Sequence, residues 1–237
     1  MKCVKVEYIE ESFDLCDLEI DGGENNYIAE GIVVHNTWCA MGIVPELDHP
    51  EIDEGKFVVT SKGLSEQGLA FKFNENNKNN VYLKMFWTVK DKIQALADWI
   101  HESSDLENTP VYVLGEVFGP IQDLRYGFCE PQLRVFDIYI GMPSHGYYMN
   151  MDAVIEVCDK FGFLHVPVLY RGPFSVRVML DFTDGKETVS GHEVHLREGI
   201  VMNVIPERYV PEIGRLVLKS VSEKYLTRKN PNATEFN

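Results

Sequence analysis

Apolar and polar residues alternate with a period of two through residues 134–140, and residues 110–119 are apolar almost throughout except for one acid, Glu116. Both runs read as strands, the second ending in a glycine-bounded turn. Near the start, residues 2–8 and 13–20 read as short strands around a turn at Glu10-Glu11-Ser12. Gly22-Gly23 then breaks the chain before a further strand over 27–34. So few strands bury too little surface to fold alone, and this segment needs a partner. Residues 55–60 form a strand that ends at Ser61-Lys62-Gly63-Leu64, and 74–80 is an Asn-rich polar loop. Thr88-x-x-Asp91 resembles a capping box, followed by Ile93, Leu96, Ala97 and Ile100 at helical spacing. Val154, Val157, Cys158 and Phe161 mark a second amphipathic helix, stopped at Gly162. Residues 197–202 and 215–220 are strand-like, and the tail from Asn230 is frayed. Strands outnumber helices and connections are short, which predicts an α+β fold built mostly of antiparallel sheet.

The chain's 237 residues, 45% of them hydrophobic, suffice for one domain with a real core plus an appendage. No apolar run reaches membrane-spanning length and no signal-like segment opens the chain, so no membrane partner is expected. Five cysteines (Cys3, Cys16, Cys39, Cys129, Cys158) are scattered and never spaced CxxC, which points to reduced thiols and a cytoplasmic setting. A net charge of −15 at first disfavours a nucleic-acid partner, yet its distribution is uneven. Residues 1–36 carry nine acids and two lysines and hold −7 of it, leaving −8 for the rest. Between Glu207 and Lys229 the sign reverses, with Arg208, Arg215, Lys219, Lys224, Arg228 and Lys229 against Glu207, Glu212 and Glu223. Such a cluster is either a solvated basic face or a surface for phosphates. The acidic leader either aids solubility or docks on a basic fragment.

Residues 31–39, Gly31-Ile32-Val33-Val34-His35-Asn36-Thr37-Trp38-Cys39, carry the first candidate chemistry. The Asn36 amide can attack its own main-chain carbonyl, closing a succinimide and cutting the bond to residue 37. His35 is placed to donate a proton as charge builds on that oxygen, and the Thr37 hydroxyl can carry an acyl group before the cut. With Leu18-Glu19-Ile20-Asp21-Gly22 and residues 26–36 read straight through, the first 36 residues resemble the C-terminal end of an intein. One departure is Asn25, near the place where many inteins carry a helper histidine. The resemblance implies a few strands of a Hint-type fold over 1–36 and splicing between Asn36 and Thr37. Met1 stands only a few dozen residues before that junction, the size of a split-intein C-terminal piece, so the N-terminal fragment is expected to act in trans.

A second set of motifs follows. Leu114-Gly115-Glu116-Val117-Phe118-Gly119, Phe136-Asp137-Ile138, Glu198-Gly199-Ile200-Val201 and Leu218-Lys219-Ser220 resemble, in order and spacing, those of ATP-dependent RNA ligases of the covalent nucleotidyltransferase superfamily. The resemblance runs from Thr37 to about Lys229. It implies an antiparallel-sheet nucleotidyltransferase domain (RNA ligase/ATP-grasp-like) over 37–237, with ATP and Mg2+ or Mn2+ as cofactors and RNA as partner. In the family's scheme a lysine is joined to AMP, AMP passes to a 5′-phosphate, and a 3′-hydroxyl expels it. Phosphoryl transfer of this kind rests on positioning and on cations around the phosphates. The resemblance assigns Glu116 to the ribose hydroxyls, Phe136 to stacking on adenine, Glu198 to the metal and the lysine, and Lys219 to the α-phosphate. Lys62 is a further candidate for a phosphate or RNA contact. Glycines 115 and 119 beside Glu116 point to a close approach to ligand, whereas Phe136 alternates with Ile138 and fits the core equally. His192, Glu193 and His195 suit no common zinc spacing and read as surface, as do Asp123 and Arg125. Val217 stands where some relatives have another lysine, and Arg215 is the candidate to compensate.

The family's own nucleophile is missing. Those ligases carry it in Lys-x-His-Gly or Lys-x-Asp-Gly, often followed by Thr, and no such lysine precedes Glu116. Intein-like residues stand where that motif belongs, directly before Thr37. The two resemblances explain each other if splicing joins an upstream Lys-x-His-Gly to Thr37. The alternatives are a DNA ligase or capping-type guanylyltransferase, and a non-catalytic nucleotide- or RNA-binding module.

Overall fold

The computed structural model of the protein describes residues 26–30, 38–45, 56–103, 106–119, 126–142 and 145–228. His35, Asn36 and Thr37, the strands expected over 2–8 and 13–20, Asp123, Arg125, Lys229 and the tail lie outside those residues.

In chain order the elements are β1 (Asn26–Glu30), β2 (Trp38–Ile43), β3 (Phe57–Ser61), a short turn of helix α1 (Lys62–Ser65), and the long α2 (Val81–Ser103). Then come β4 (Val111–Phe118), β5 (Gln132–Met142), β6 (His145–Tyr148), α3 (Met151–Phe161), β7 (Val168–Pro173) and α4 (Val176–Thr183). The chain closes with β8 (Gly199–Ile205), the β9 (Tyr209–Val210) and β10 (Gly214–Arg215) pair, β11 (Val217–Val221) and α5 (Glu223–Leu226). Two antiparallel sheets result. The larger runs β3-β2-β4-β5-β6 and the smaller β11-β8-β1-β7. The mixed α/β fold with antiparallel sheets is the one expected. No helix among the described residues is long and apolar enough to cross a membrane.

Helix α2 forms because Leu83, Phe86, Val89, Ile93, Leu96, Ala97 and Ile100 recur three or four positions apart and fall on one buried face. That face lies on β2, β3 and β4, with Phe86 edge-on to Phe57 at 5.3 Å and to Phe73 at 5.2 Å. The helix begins a full two turns before the expected capping box. Asn80 caps it instead, its Oδ1 accepting from the Tyr82 and Leu83 amides at 2.9 and 3.1 Å. Thr88 lies inside the helix and turns its hydroxyl back to the Met85 carbonyl, 2.7 Å away. Helix α3 ends as expected at Gly162, which takes φ 71 and leaves the Phe163 amide bonded to the Cys158 carbonyl at 2.9 Å.

In the smaller sheet, Ile200, Met202 and Leu218 pack against Leu169, Tyr170, Met179 and Phe182, so α4 covers that face. Helix α4 was not legible in the sequence. The run expected over 197–202 becomes a strand only from Gly199, and 215–220 divides into β10 and β11. Strand β1, expected to belong to a separate unit, pairs with both β7 and β8.

Candidate active site

The two sheets bring the ligase-like motifs to one place. Glu116 is the sixth residue of β4, buried, and level with Trp38 of β2 and Arg134 of β5. Glu198 directly precedes β8 and is also buried. Lys219 is level with Val201, so it shares the face of the smaller sheet opposite the one α4 covers. Its ammonium lies 3.8 Å from Glu198 Oε1. Burial lowers the Lys219 pKa, the Glu198 and Glu116 carboxylates pull it back up, and Lys62 lowers it further. Four residues singled out in the sequence thus sense one another: Glu116, Glu198, Lys219 and Lys62. Two carboxylates and two ammonium groups around a half-buried point suit a ligand with both hydroxyl and phosphate groups.

Gly199 explains why Glu198 is followed by glycine. A Cβ there would collide with the Ser220 carbonyl of β11 and come within 2.9 Å of Val221 Cα, so the small residue lets β8 and β11 close beside the Glu198–Lys219 pair. The glycines flanking Glu116 act similarly and not as expected. A Cβ on Gly115 would lie 2.7 Å from the Arg134 carbonyl, and one on Gly119 2.7 Å from that of Glu130. Each makes room for neighbouring backbone rather than for a ligand.

Phe136 sits at a break in strand register. Leu114 pairs with Asp137 but Gly115 pairs with Val135, so Phe136 is the extra residue of a bulge. The buried apolar positions accordingly run Leu133, Val135, then Ile138, Ile140. Phe136 itself is half buried against the core. The next residue, Asp137, receives a two-pronged bond from Arg215 at 2.6 and 2.7 Å, and Arg215 also holds Glu207 at 2.7 and 3.0 Å. That engagement, with the guanidinium 4.0 Å over the Tyr148 ring, commits Arg215 to structure; it does not stand in for a lysine at position 217. The rest of the basic run is spread likewise. Lys224 pairs with Asp184 at 2.8 Å, and the Arg228 guanidinium covers the Tyr225 ring at 3.3 Å.

Tyr126 was not singled out in the sequence, because no motif or periodic pattern marks it. It is buried at φ 50, packs edge-on to Phe118 at 4.9 Å and lies 4.6 Å from the His195 ring. Burial, then Glu198, Glu116 and Glu187, push its phenol upward, so it stays a neutral hydrogen-bond donor beside the carboxylates. Tyr82, stacked on Phe71 at 5.4 Å, is pushed up to about 12 by burial and by Cys39 and Glu116. His195 is held by its Nδ1 at 2.8 Å from the Leu196 carbonyl, while His192 is exposed. Among the described residues no three His, Cys, Asp or Glu side chains are grouped to hold a metal. A cavity of about 530 Å³ lined by Val44, Leu106, Pro110 and Met142 lies at the far end of β4 from Glu116.

A family model described as RNA ligase matches residues 39–221. Among solved structures, the chain resembles RNA ligase from Naegleria gruberi. A lysine-to-alanine mutant with ATP and Mn and a lysine-to-methionine mutant with AMP and Mn each give TM-score 0.59 at 16% identity, and a glutamate-to-alanine mutant with ATP and Mn gives 0.59 at 15%. Each match covers 86% of this chain and 51% of the other, so the chain spans about half the length of those ligases. No curated protein matches by sequence.

Proposed function

This chain belongs to the RNA ligase family, and from that premise we propose that it is the C-terminal part of an ATP-dependent ligase that seals 5′-phosphate and 3′-hydroxyl RNA ends. Residues 1–36 are the C-terminal segment of an intein, removed by splicing at Asn36/Thr37, and an N-terminal fragment supplies the lysine that takes AMP. The observation that carries the reading is that Glu116 of β4, Glu198 beside β8 and Lys62 of α1 all act on Lys219 of β11, with no adenylation lysine among them.

Each residue then has a task set by its surroundings. Glu116, buried at the mouth of β4, accepts hydrogen bonds from ribose hydroxyls. Lys219 and Lys62 neutralise phosphate oxygens as point charges. Glu198 holds Lys219 in place and offers a hard oxygen to a divalent cation. That donor set fits Mg2+ or Mn2+ only in part: among the described residues no three His, Cys, Asp or Glu side chains are grouped to hold a metal, so phosphate oxygens of the nucleotide would share the coordination with Glu198. When bound, the cation supplies charge neutralisation at the leaving phosphates. Tyr126, kept protonated by burial and the nearby carboxylates, stays neutral beside the site.

The test is sealing. The product of mixing this chain with the upstream fragment is offered nicked RNA and nicked DNA with ATP and Mg2+. Sealing of RNA is expected. Sealing of DNA alone favours the DNA-ligase reading, and binding without sealing favours a non-catalytic module.

A further inference from the structure

Tyr126 occupies a strained and nearly buried position beside Glu116 and Glu198. Its backbone is left-handed, at φ 50, and Gly127 follows at φ 75. A bulky aromatic residue adopts that region only where its surroundings hold it there. The residue is 4% exposed. Two rings pack against the phenol. Phe118 shares a face of β4 with Glu116, two positions earlier, and stands edge-on to it at 4.9 Å. His195, three positions before Glu198, lies tilted against it at 4.6 Å. The approach to His195 is itself fixed. Glu187, fully buried, accepts from the Ser190 and Val194 amides at 2.9 and 3.0 Å and so ties down the turn that leads into the histidine. The phenol ring is thus packed between the strand that carries one site carboxylate and the segment that leads to the other.

The hydroxyl at the end of that ring makes no hydrogen bond to any described residue. The side-chain atoms sealed from solvent without a partner are His195 Nε2 and Arg197 Nε. The Tyr126 hydroxyl is not one of them, so it keeps an opening. A polar group held this deep without a partner is costly, and a ligand that supplies the partner recovers the cost. Burial, with the Glu198, Glu116 and Glu187 carboxylates, keeps the phenol protonated. It therefore offers what the acids around it lack, a neutral donor. Ribose hydroxyls donate and are served by a carboxylate such as Glu116. Phosphate oxygens only accept, and need donors. We propose that Tyr126 touches the ligand, its hydroxyl donating to a phosphate oxygen of the bound nucleotide on the side of the pocket where Lys219 stands 3.8 Å from Glu198. This rests on the ligase reading above.

Tyr126→Phe keeps both ring contacts and removes the hydroxyl alone. Binding of AMP, of adenosine and of a 5′-phosphorylated RNA, each with Mg2+, is measured by calorimetry on the full chain and on the spliced product. AMP is expected to bind the variant about tenfold more weakly or worse, and adenosine to bind variant and wild type equally. The urea midpoint is expected to stay where it is or to rise, because no internal hydrogen bond is lost. Equal AMP binding in the two proteins overturns the proposal and leaves the ligase reading standing. So does a matching loss for adenosine, which gives the hydroxyl to the nucleoside, or a loss confined to the RNA, which gives it to the RNA end. A lower urea midpoint in the variant also overturns it, since the hydroxyl then serves the fold. Wild type that binds neither AMP nor adenosine, before or after splicing, removes the ligase reading and the proposal with it.

Discussion

Arg215→Met tests the ion-pair cluster that ties the motif regions together. Arg215 makes four hydrogen bonds of 2.6 to 3.0 Å, two to Asp137 and two to Glu207. The Asp137 side chain is 8% exposed and that of Arg215 17%, so water cannot replace the lost partner. Removing one member of such a buried pair costs about 3–5 kcal/mol, because the remaining charge is stranded. Folded domains hold about 5–15 kcal/mol in all. With a urea slope of about 2 kcal/mol/M, the unfolding midpoint of the variant should fall by about 2 M. The pH dependence has a definite sign. Burial already holds the Asp137 carboxyl above its ordinary range, against the opposing pull of Arg215. Without Arg215 it rises further, so the folded variant binds a proton more readily than the unfolded chain. Its deficit is then full at neutral pH and shrinks as pH falls toward the unfolded carboxylate range. Asp137→Asn in the Arg215→Met background removes the stranded charge and should recover most of the loss. A deficit below about 1 kcal/mol at pH 7, or one equal at pH 5 and pH 7, refutes the reasoning.

Further outcomes follow from the same geometry. Glu198→Gln in the spliced ligase removes the charge beside Lys219 and should lower adenylation at least 100-fold with little change in urea midpoint; unchanged adenylation excludes Glu198 from the chemistry. Cys39 and Cys158 are fully buried thiols raised by burial, Cys158 from 9.0 to about 12. Their raised folded values mean stability is fully present below the unfolded thiol pKa and is lost as pH rises above it, about 1.4 kcal/mol per pH unit for each thiol. Cys158→Ala should therefore flatten the fall in urea stability between pH 9 and 10, and a parallel fall in variant and wild type counts against it. Gly199→Ala should lower both stability and Lys219-dependent activity, since its Cβ meets the β11 backbone; a fully stable variant contradicts the close strand contact.

The candidate site residues were more legible in the sequence than the packing around them. Glu116 and Lys219 announce themselves because each is a charge set in an otherwise apolar strand-like run, an arrangement that burial penalises without a role, whereas Glu198, next to Arg197, stood out only through its motif resemblance. The turn at Gly162 and the α2 stripe were readable for local reasons, since capping and period depend on near neighbours. Thr88 misled because its capping pattern falls where the apolar stripe already continues back to Leu83, and packing overrode it. The bulge at Phe136, the Arg215 cluster and Tyr126 depend on partners 60 or more positions away in several cases, such as Asp137 for Arg215; no local pattern encodes them. Gly115 and Gly119 were correctly marked as tight, but sequence alone does not say what approaches.

The central claim is that a lysine from outside this chain completes a pocket whose other walls stand here. Incubation of the full chain with α-labelled ATP and Mg2+, before and after splicing with the upstream fragment, tests it most directly. Covalent AMP on a lysine of the spliced product, and none on the unspliced chain, is the predicted result. Label on the unspliced chain contradicts it.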